Sequence, residues 1–181
     1  GHLSGWTSPK AAGLLEYGGS VEDAYLLRRG LYMPWELPTV MDPELAHAGL
    51  NALALPERLH ATTDPIETDY RKVAALETAW YMRHQLLRDT DWASMAHSLE
   101  VRVPLVDVGL LRAIAPHVSE GLRKSVMAET PHQALPDEVL KRPKTGFSVP
   151  VRDWMLSHRP DLTARGLRGW ATYVYDQYWN G

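Results

Sequence analysis

The stretch Asp64–Leu87, DPIETDYRKVAALETAWYMRHQLL, has a bulky side chain at nearly every third or fourth position. The residues that share this spacing are Ile66, Tyr70, Val73, Leu76, Trp80, His84 and Leu87. A period between three and four places side chains on one face of an α-helix. Asp64 stands before Pro65. A proline in the first helical turn loses no hydrogen bond, so this pair predicts the start of the helix.

Similar signals predict further helices on both sides of this stretch. Asp42 precedes Pro43 in the same arrangement. Ser20 can accept a hydrogen bond from the first N–H groups of a helix, and Gly30 is a typical residue at a helix end. Asp107 is predicted to cap a later helix in the way that Ser20 caps the first one.

Extended structure is predicted at one place, residues 101–103, because Pro104 disfavours a helical conformation in the residue before it. Two more helices are predicted, at residues 92–99 and from about 122 to 134, and a loop is predicted at residues 30–38. The chain is therefore expected to be mainly α.

The composition is that of a globular protein. A chain of 181 residues, 45% of them apolar, can bury about 70% of its unfolded surface. A net charge of -3 does not favour nucleic acid. The absence of cysteine excludes disulfides, thiolate metal ligands and a thiol nucleophile. No apolar run approaches the ~20 residues needed to cross a bilayer. The histidines are scattered, so no metal site is predicted.

The first stretch with chemical character is Asp91–Asp107, DWASMAHSLEVRVPLVD. In extended backbone, Glu100 and Arg102 point to the same side because the side-chain period is two. A carboxylate beside a guanidinium can organise a polar site, where the carboxylate holds a proton and the guanidinium binds phosphate or carboxylate. The alternative is an ion pair that only stabilises the junction between the helix and the extended segment.

The second stretch is Leu135–Trp154, LPDEVLKRPKTGFSVPVRDW. Lys141, Arg142 and Lys144 lie within four residues, and Gly146 permits a turn beside them. Three cations next to a turn can bind phosphate and stabilise the charge that develops during its transfer. The alternative is a solvated basic loop.

These two stretches, in this order and separation, resemble the C-terminal part of the synthetase domain of glutamine-hydrolysing asparagine synthetases. The first resembles that family's Ser-Met, Glu-x-Arg-x-Pro and final Asp pattern, and the second its Leu-Pro and Arg-x-Lys-x-Gly-Phe pattern. The resemblance is good over about residues 71–155, with weaker flanks at 1–70 and 156–181. It implies one partial domain over 1–181, the helical portion of an α/β adenine-nucleotide-hydrolase-like domain whose sheet-forming half is missing.

The resemblance also implies a reaction. Members of that family use ATP with Mg²⁺ to activate aspartate as an aspartyl-adenylate, and ammonia from glutamine then forms the amide. By motif position, Lys144 and Glu100 correspond to catalytic residues. Arg102, Arg142 and Asp91 correspond to residues that bind phosphate or substrate.

Several motifs of that family are missing here, including its Ser-Gly-Gly-x-Asp-Ser loop and its glutaminase cysteine. We therefore expect the chain to be inactive alone, with ATP and Mg²⁺ bound mainly by segments that it lacks. The expected partners are an upstream synthetase half, a glutaminase domain and a small acyl substrate such as aspartate. The expected location is the cytoplasm. The sequence does not decide whether the chain forms a homo-oligomer. Neither nucleic acid nor a membrane is expected. The alternative is a non-catalytic helical module that binds a partner or forms oligomers.

Overall fold

The structure, a computed structural model, describes residues 9–118, 124–133, 135–143, 149–164 and 166–179. Within these ranges the regular elements are all helical and no strand occurs, so the prediction of a mainly α chain is confirmed. The chain divides into two compact units, unit 1 (Gly1–Arg58 and Gly146–Gly181) and unit 2 (Leu59–Thr145). That residues 1–181 form one family domain stays a prediction, because compact units do not define where a family domain begins.

The described helices follow one another without intervening strands. In the N-terminal part they are α1 (Pro9–Tyr17), α2 (Val21–Arg29), a 3₁₀-helix (Pro34–Thr39), α3 (Pro43–Leu53) and α4 (Leu55–Thr63). Then come α5 (Asp69–Leu76), a π-helix (Glu77–Leu87), α6 (Arg88–Met95), α7 (Val108–Ile114) and a 3₁₀-helix (Ala115–His117). The last are a 3₁₀-helix (Lys124–Glu129), α8 (Asp137–Leu140), α9 (Val151–His158) and α10 (Arg168–Trp179).

Three of the predicted helix caps are confirmed by a side-chain oxygen that accepts a backbone N–H. They are Ser20 with Asp23 (3.0 Å), Asp42 with Leu45 (2.9 Å) and Asp107 with Leu110 (2.7 Å). Each bond satisfies one of the N–H groups that a helix leaves unpaired at its start, and such a cap contributes about 1 kcal/mol. Gly30 follows the end of α2, also as predicted.

Unit 1 has its own small core. Its buried apolar side chains are Tyr25, Leu27, Met33, Ala46 and Met155. Gly169 allows α10 to approach its neighbours closely, since a Cβ there would lie 2.9 Å from the carbonyl oxygen of Leu162 and 3.0 Å from the terminal methyl of Met155. Residues 34–39, most of the predicted 30–38 loop, instead form the first 3₁₀-helix, which tolerates the prolines at its start and near its end.

The prediction that Asp64 begins the long helix of unit 2 is wrong. The N–H of Asp64 donates to the carbonyl of His60 (2.8 Å), so this residue closes α4. The new helix starts five residues later, where the hydroxyl of Thr68 accepts the N–H of Arg71 (3.4 Å). Thr68 caps the helix with its hydroxyl in place of Asp64. Asp64 cannot begin this helix because its N–H already takes part in the turn that ends α4.

From Asp69 to Met95 the chain is helical without a break, and its central part is the π-helix. Leu76 is fully buried, and the indole N–H of Trp80 donates to the hydroxyl of Thr62 (3.1 Å). π-helices of this kind are rare and are not encoded by an apolar period of three to four. The sequence therefore predicted the helix but not its change of winding.

Two other predicted helices have different bounds. The helix expected at residues 92–99 is the end of α6 and stops at Met95, and Ser98 adopts a left-handed conformation with φ of 56°. Of the helix expected from 122 to 134, the described residues contain the 3₁₀-helix Lys124–Glu129 followed by bends. Leu122 and Ala134 themselves lie outside the described residues.

Candidate functional site

Glu100 and Arg102 contact each other directly. Nη2 of Arg102 lies 3.0 Å from Oε1 of Glu100, as expected for two residues on the same side of an extended segment. The side chains are 82% exposed for Arg102 and 70% for Glu100. An ion pair so exposed contributes at most about 1 kcal/mol. It therefore stabilises the junction after α6 only weakly, and both groups remain accessible to a ligand.

Asp91, the third polar residue of the first stretch, lies in α6 and is exposed. Its carbonyl oxygen accepts the hydroxyl of Ser94 (3.1 Å). Within the described part of the chain, its carboxylate forms no hydrogen bond or ion pair with Glu100 or Arg102. The structure therefore brings together two of the three polar residues that the first stretch contributes.

The basic segment is described in part. The ammonium of Lys141 binds the carboxylate of Asp137 one helical turn earlier in α8. This pair is about as exposed as that of Glu100 and Arg102, so it too contributes at most about 1 kcal/mol and leaves the ammonium of Lys141 accessible to a ligand. Arg142 follows as an exposed residue. Lys144 lies outside the described residues, and its role stays a prediction.

Unit 2 also contains a groove of about 810 Å³ between α5, the start of the π-helix and α7. Its main charged group is Arg71, whose guanidinium donates to the carbonyls of Val118 (3.0 Å) and Pro116 (3.2 Å). Arg71 thus satisfies carbonyl groups at a helix end. Of the candidate site residues that the structure describes, Asp91, Glu100, Arg102 and Arg142, none lines this groove.

The structure also contains a bidentate charge pair that the sequence did not predict. In unit 1, Arg168 donates two parallel hydrogen bonds to Glu36, with distances of 2.6 Å to Oε1 and 2.9 Å to Oε2. The hydroxyl of Tyr32 donates to the carbonyl of Arg168 (3.0 Å), and the guanidinium lies 4.7 Å from the centre of the Tyr32 ring. Both charged side chains are largely buried.

The electrostatics of this pair follow from its hydrogen bonds. The guanidinium of Arg168 lowers the pKa of Glu36, and the N–H of Met33, 2.8 Å away, lowers it further. The hydrogen bond to Glu36 raises the pKa of Arg168. Burial, and then the positive charge of Arg168, lower the pKa of Lys10. No sequence signal could have joined residues 36 and 168, because their pairing depends on the tertiary fold.

The described residues give no sign of a metal centre or a membrane helix. Within them, no group of three or more histidine, aspartate or glutamate side chains is placed to hold a metal ion. None of their helices combines the length and the apolar character that crossing a bilayer requires.

The chain is helical, and its two motif stretches carry an exposed acid–arginine pair and a basic segment. Comparison with known proteins identifies the class of protein to which it belongs. Residues 5–173 match the asparagine synthase family. Because the match covers nearly the whole chain, the chain belongs to this family.

Individual relatives agree with this assignment. Over 93 residues the chain is 31% identical to glutamine-hydrolysing asparagine synthetase 1 of Bacillus subtilis. This match covers 49% of the present chain and 15% of the Bacillus protein. Over 119 residues it is 29% identical to a provisionally named glutamine-hydrolysing asparagine synthetase of Mycobacterium bovis, and equally to one of Mycobacterium tuberculosis. That match covers 62% of this chain and 17% of those proteins. No solved structure matches the chain significantly.

Proposed function

We propose that this chain is the helical part of an ATP-dependent amidotransferase of asparagine biosynthesis, a carbon–nitrogen ligase that needs further segments for activity. The reaction has two steps. An acyl substrate such as aspartate is first activated as an acyl-adenylate with release of pyrophosphate. Ammonia from glutamine then attacks the acyl carbon, forms the amide and releases AMP.

The observation that carries this proposal is the family match over residues 5–173, which includes both chemical stretches in one matched region. The contact between Glu100 and Arg102 supports it, since an acid and a guanidinium 3.0 Å apart and open to solvent can receive a polar ligand. The larger α/β domain around these helices is part of the proposal.

Each candidate residue has a role that suits its chemistry. Lys144 would offset the negative charge that grows on the leaving pyrophosphate. Arg142 and Arg102 would bind phosphate or carboxylate oxygens, where a planar guanidinium gives two parallel hydrogen bonds. Glu100 would accept a proton from the attacking ammonia, and Asp91 would support the substrate pocket.

ATP with Mg²⁺ is the cofactor that this role requires, and ATP supplies the adenylyl group when bound. The cations of the basic segment suit its phosphates. Mg²⁺ prefers carboxylates and water in octahedral geometry, and the described residues hold no acidic cluster that would serve it. We infer that segments outside this chain would bind most of the metal–nucleotide complex, since the matched region covers only 15 to 17% of the relatives.

The proposed partners are an upstream synthetase half and a glutaminase domain. Their support is the length of the relatives, of which this chain spans about 15 to 17%. A cytoplasmic location fits a reaction that uses ATP and free amino acids, and a homo-oligomer is compatible with it. Neither nucleic acid nor a membrane takes part.

The experiment is aspartate-dependent exchange between ATP and pyrophosphate, measured in the longer protein that contains this chain. Lys144→Ala should lower the exchange rate by about a hundredfold or more, because the cation acts on developing charge. Arg112→Ala is the control, since this exposed arginine of α7 lies outside both motif stretches, and it should keep the rate within about twofold. Equal rates for wild type and Lys144→Ala would remove Lys144 from the mechanism.

A second candidate function is a non-catalytic helical module that binds a partner. The observation in its favour is that Glu100 and Arg102 already neutralise each other at the surface. In that case the longer protein would show no exchange with aspartate or any other amino acid, while it still formed a complex through this chain.

A further inference from the structure

We propose that the groove of unit 2 between α5, the start of the π-helix and α7 binds an α-amino acid with a large apolar side chain. The groove measures about 810 Å³, within the range of about 300–1,000 Å³ that is typical of small-molecule sites. All the residues that line it belong to unit 2. The described candidate site residues do not line it, so the inference does not rest on the proposed function.

Arg71 supplies the group that binds a carboxylate. Its Nε donates to the carbonyl of Val118 (3.0 Å) and its Nη2 to that of Pro116 (3.2 Å), so these two bonds hold one edge of the planar guanidinium. The other edge, formed by Nη1 and the second N–H of Nη2, keeps two parallel donors, and a carboxylate accepts two such hydrogen bonds side by side. Because the carbonyls already fix the side chain, little conformational freedom is lost when a ligand binds.

Glu67 supplies the opposite charge. It lies in the connection between α4 and α5, lines the same groove and is exposed. Among the described residues, Glu67 forms no ion pair and Arg71 pairs with no carboxylate. A ligand with both an ammonium and a carboxylate complements the two groups, whereas a simple acid or a simple amine leaves one of them unmatched.

The walls of the groove favour an apolar body on this ligand. One side presents small side chains from α5 and the π-helix, and α7 contributes larger apolar ones. These residues are Ala74, Ala75 and Ala79 on the first side and Leu111 and Ile114 on the second. Leu111 is 47% and Ile114 44% exposed, so an apolar side chain bound against them would remove their surface from water and stabilise the complex. The alanines leave the space that an aromatic or branched side chain would fill.

The test is isothermal titration calorimetry of the 181-residue chain with probes that each lack one feature. L-phenylalanine has both charges and the apolar body, 3-phenylpropanoate lacks the ammonium, 2-phenylethylamine lacks the carboxylate, and glycine lacks the apolar body. L-phenylalanine should bind at least about tenfold more tightly than any of the others, because each feature contributes a charge-assisted contact or buried apolar area. L-aspartate, the acyl substrate of the proposed reaction, should bind as weakly as glycine, because its second carboxylate would meet an apolar wall.

Variants assign the two charges separately. Glu67→Gln should weaken the binding of L-phenylalanine about tenfold and leave that of 3-phenylpropanoate within about twofold. Arg71→Gln should weaken both about tenfold, with a melting curve to show that the chain stays folded. Since Glu67 has no partner among the described residues, its variant tests the site even if Arg71→Gln unfolds the chain. Glu44→Gln, at an exposed acid of α3 in unit 1, is the control and should change neither affinity.

Equal affinities for L-phenylalanine and 3-phenylpropanoate would overturn the inference, as would wild-type affinity for L-phenylalanine in Glu67→Gln. It would also be overturned if L-phenylalanine showed no saturable binding below about 10 mM. None of these readouts involves ATP or pyrophosphate, so this site and the proposed function fail independently.

Discussion

Arg168, at the start of α10, holds Glu36 through two hydrogen bonds of 2.6 and 2.9 Å, although the two residues are 132 positions apart in the chain. The pair fixes the C-terminal helix to the 3₁₀-helix at residues 34–39, and Tyr32 covers it from one side. Within unit 1 it is therefore a tertiary link that neighbouring sequence does not supply.

Breaking this link should destabilise the chain. Glu36→Gln leaves a largely buried guanidinium without its charged partner, which we expect to lower the free energy of unfolding by about 2 kcal/mol. Urea denaturation at neutral pH measures this. Asp89→Asn is the control, because the Arg88–Asp89 pair is exposed and long, and it should change the value by less than about 0.5 kcal/mol. If both variants changed the free energy of unfolding equally, the buried pair would stabilise the fold no more than an exposed pair does.

The same pair predicts how stability depends on pH. Because the folded chain lowers the pKa of Glu36, the pair stabilises the fold above the ordinary glutamate pKa of about 4.3. This stabilisation disappears as the pH falls through the lowered pKa, since the unfolded chain binds the proton more readily. The difference between wild type and Glu36→Gln should thus be constant from about pH 6 to pH 8 and shrink below about pH 4. A difference that grows in acid would contradict the assigned direction.

Two glycines should respond to alanine in opposite directions. Gly169→Ala places a methyl group 2.9 Å from a fixed carbonyl oxygen, so we expect a loss of about 1–3 kcal/mol. At Gly49, within α3, an added methyl group would meet nothing within 4 Å, and alanine there should add about 0.5–1 kcal/mol through helix propensity. Thermal or urea unfolding distinguishes them, and a stabilising Gly169→Ala would disprove the close approach of α10.

The end of α3 offers a test of backbone strain. Ala54 has φ of 43° and ψ of 48°, a left-handed conformation that disfavours side chains other than glycine. Ala54→Gly should therefore raise the free energy of unfolding by about 0.5–1 kcal/mol. Ala52→Gly, two residues earlier inside the helix, should lower it by about the same amount. If both variants were destabilised, the helix would end in another conformation.

Local signals predicted the helix starts well, and the structure shows why. Ser20, Asp42 and Asp107 each act on an N–H three residues away, so the interaction is contained in the sequence. Asp64 failed because Thr68 offered a competing cap and because the turn after α4 involved Asp64 itself. Propensity ranks such alternatives poorly when they lie within one turn of each other.

In the candidate site, too, the sequence could predict only contacts between residues a few positions apart. The contact between Glu100 and Arg102 follows from the period of an extended segment. The pairing of Lys141 with Asp137 follows helical spacing, but it was missed when the three cations were considered together. The ion pair between Glu36 and Arg168 could not be predicted from the sequence, because nothing in the sequence near either residue specifies the other.

The central claim is that Glu100 belongs to an active site and is not merely part of a surface ion pair. The most direct measurement is amide formation by the longer protein with ammonium replacing glutamine, alongside ATP–pyrophosphate exchange. Glu100→Gln should slow amide formation by about a hundredfold, as loss of a proton acceptor does, while exchange stays within about twofold. Glu138→Gln, at an exposed acid of α8, is the control. Unchanged amide formation in Glu100→Gln would contradict the claim.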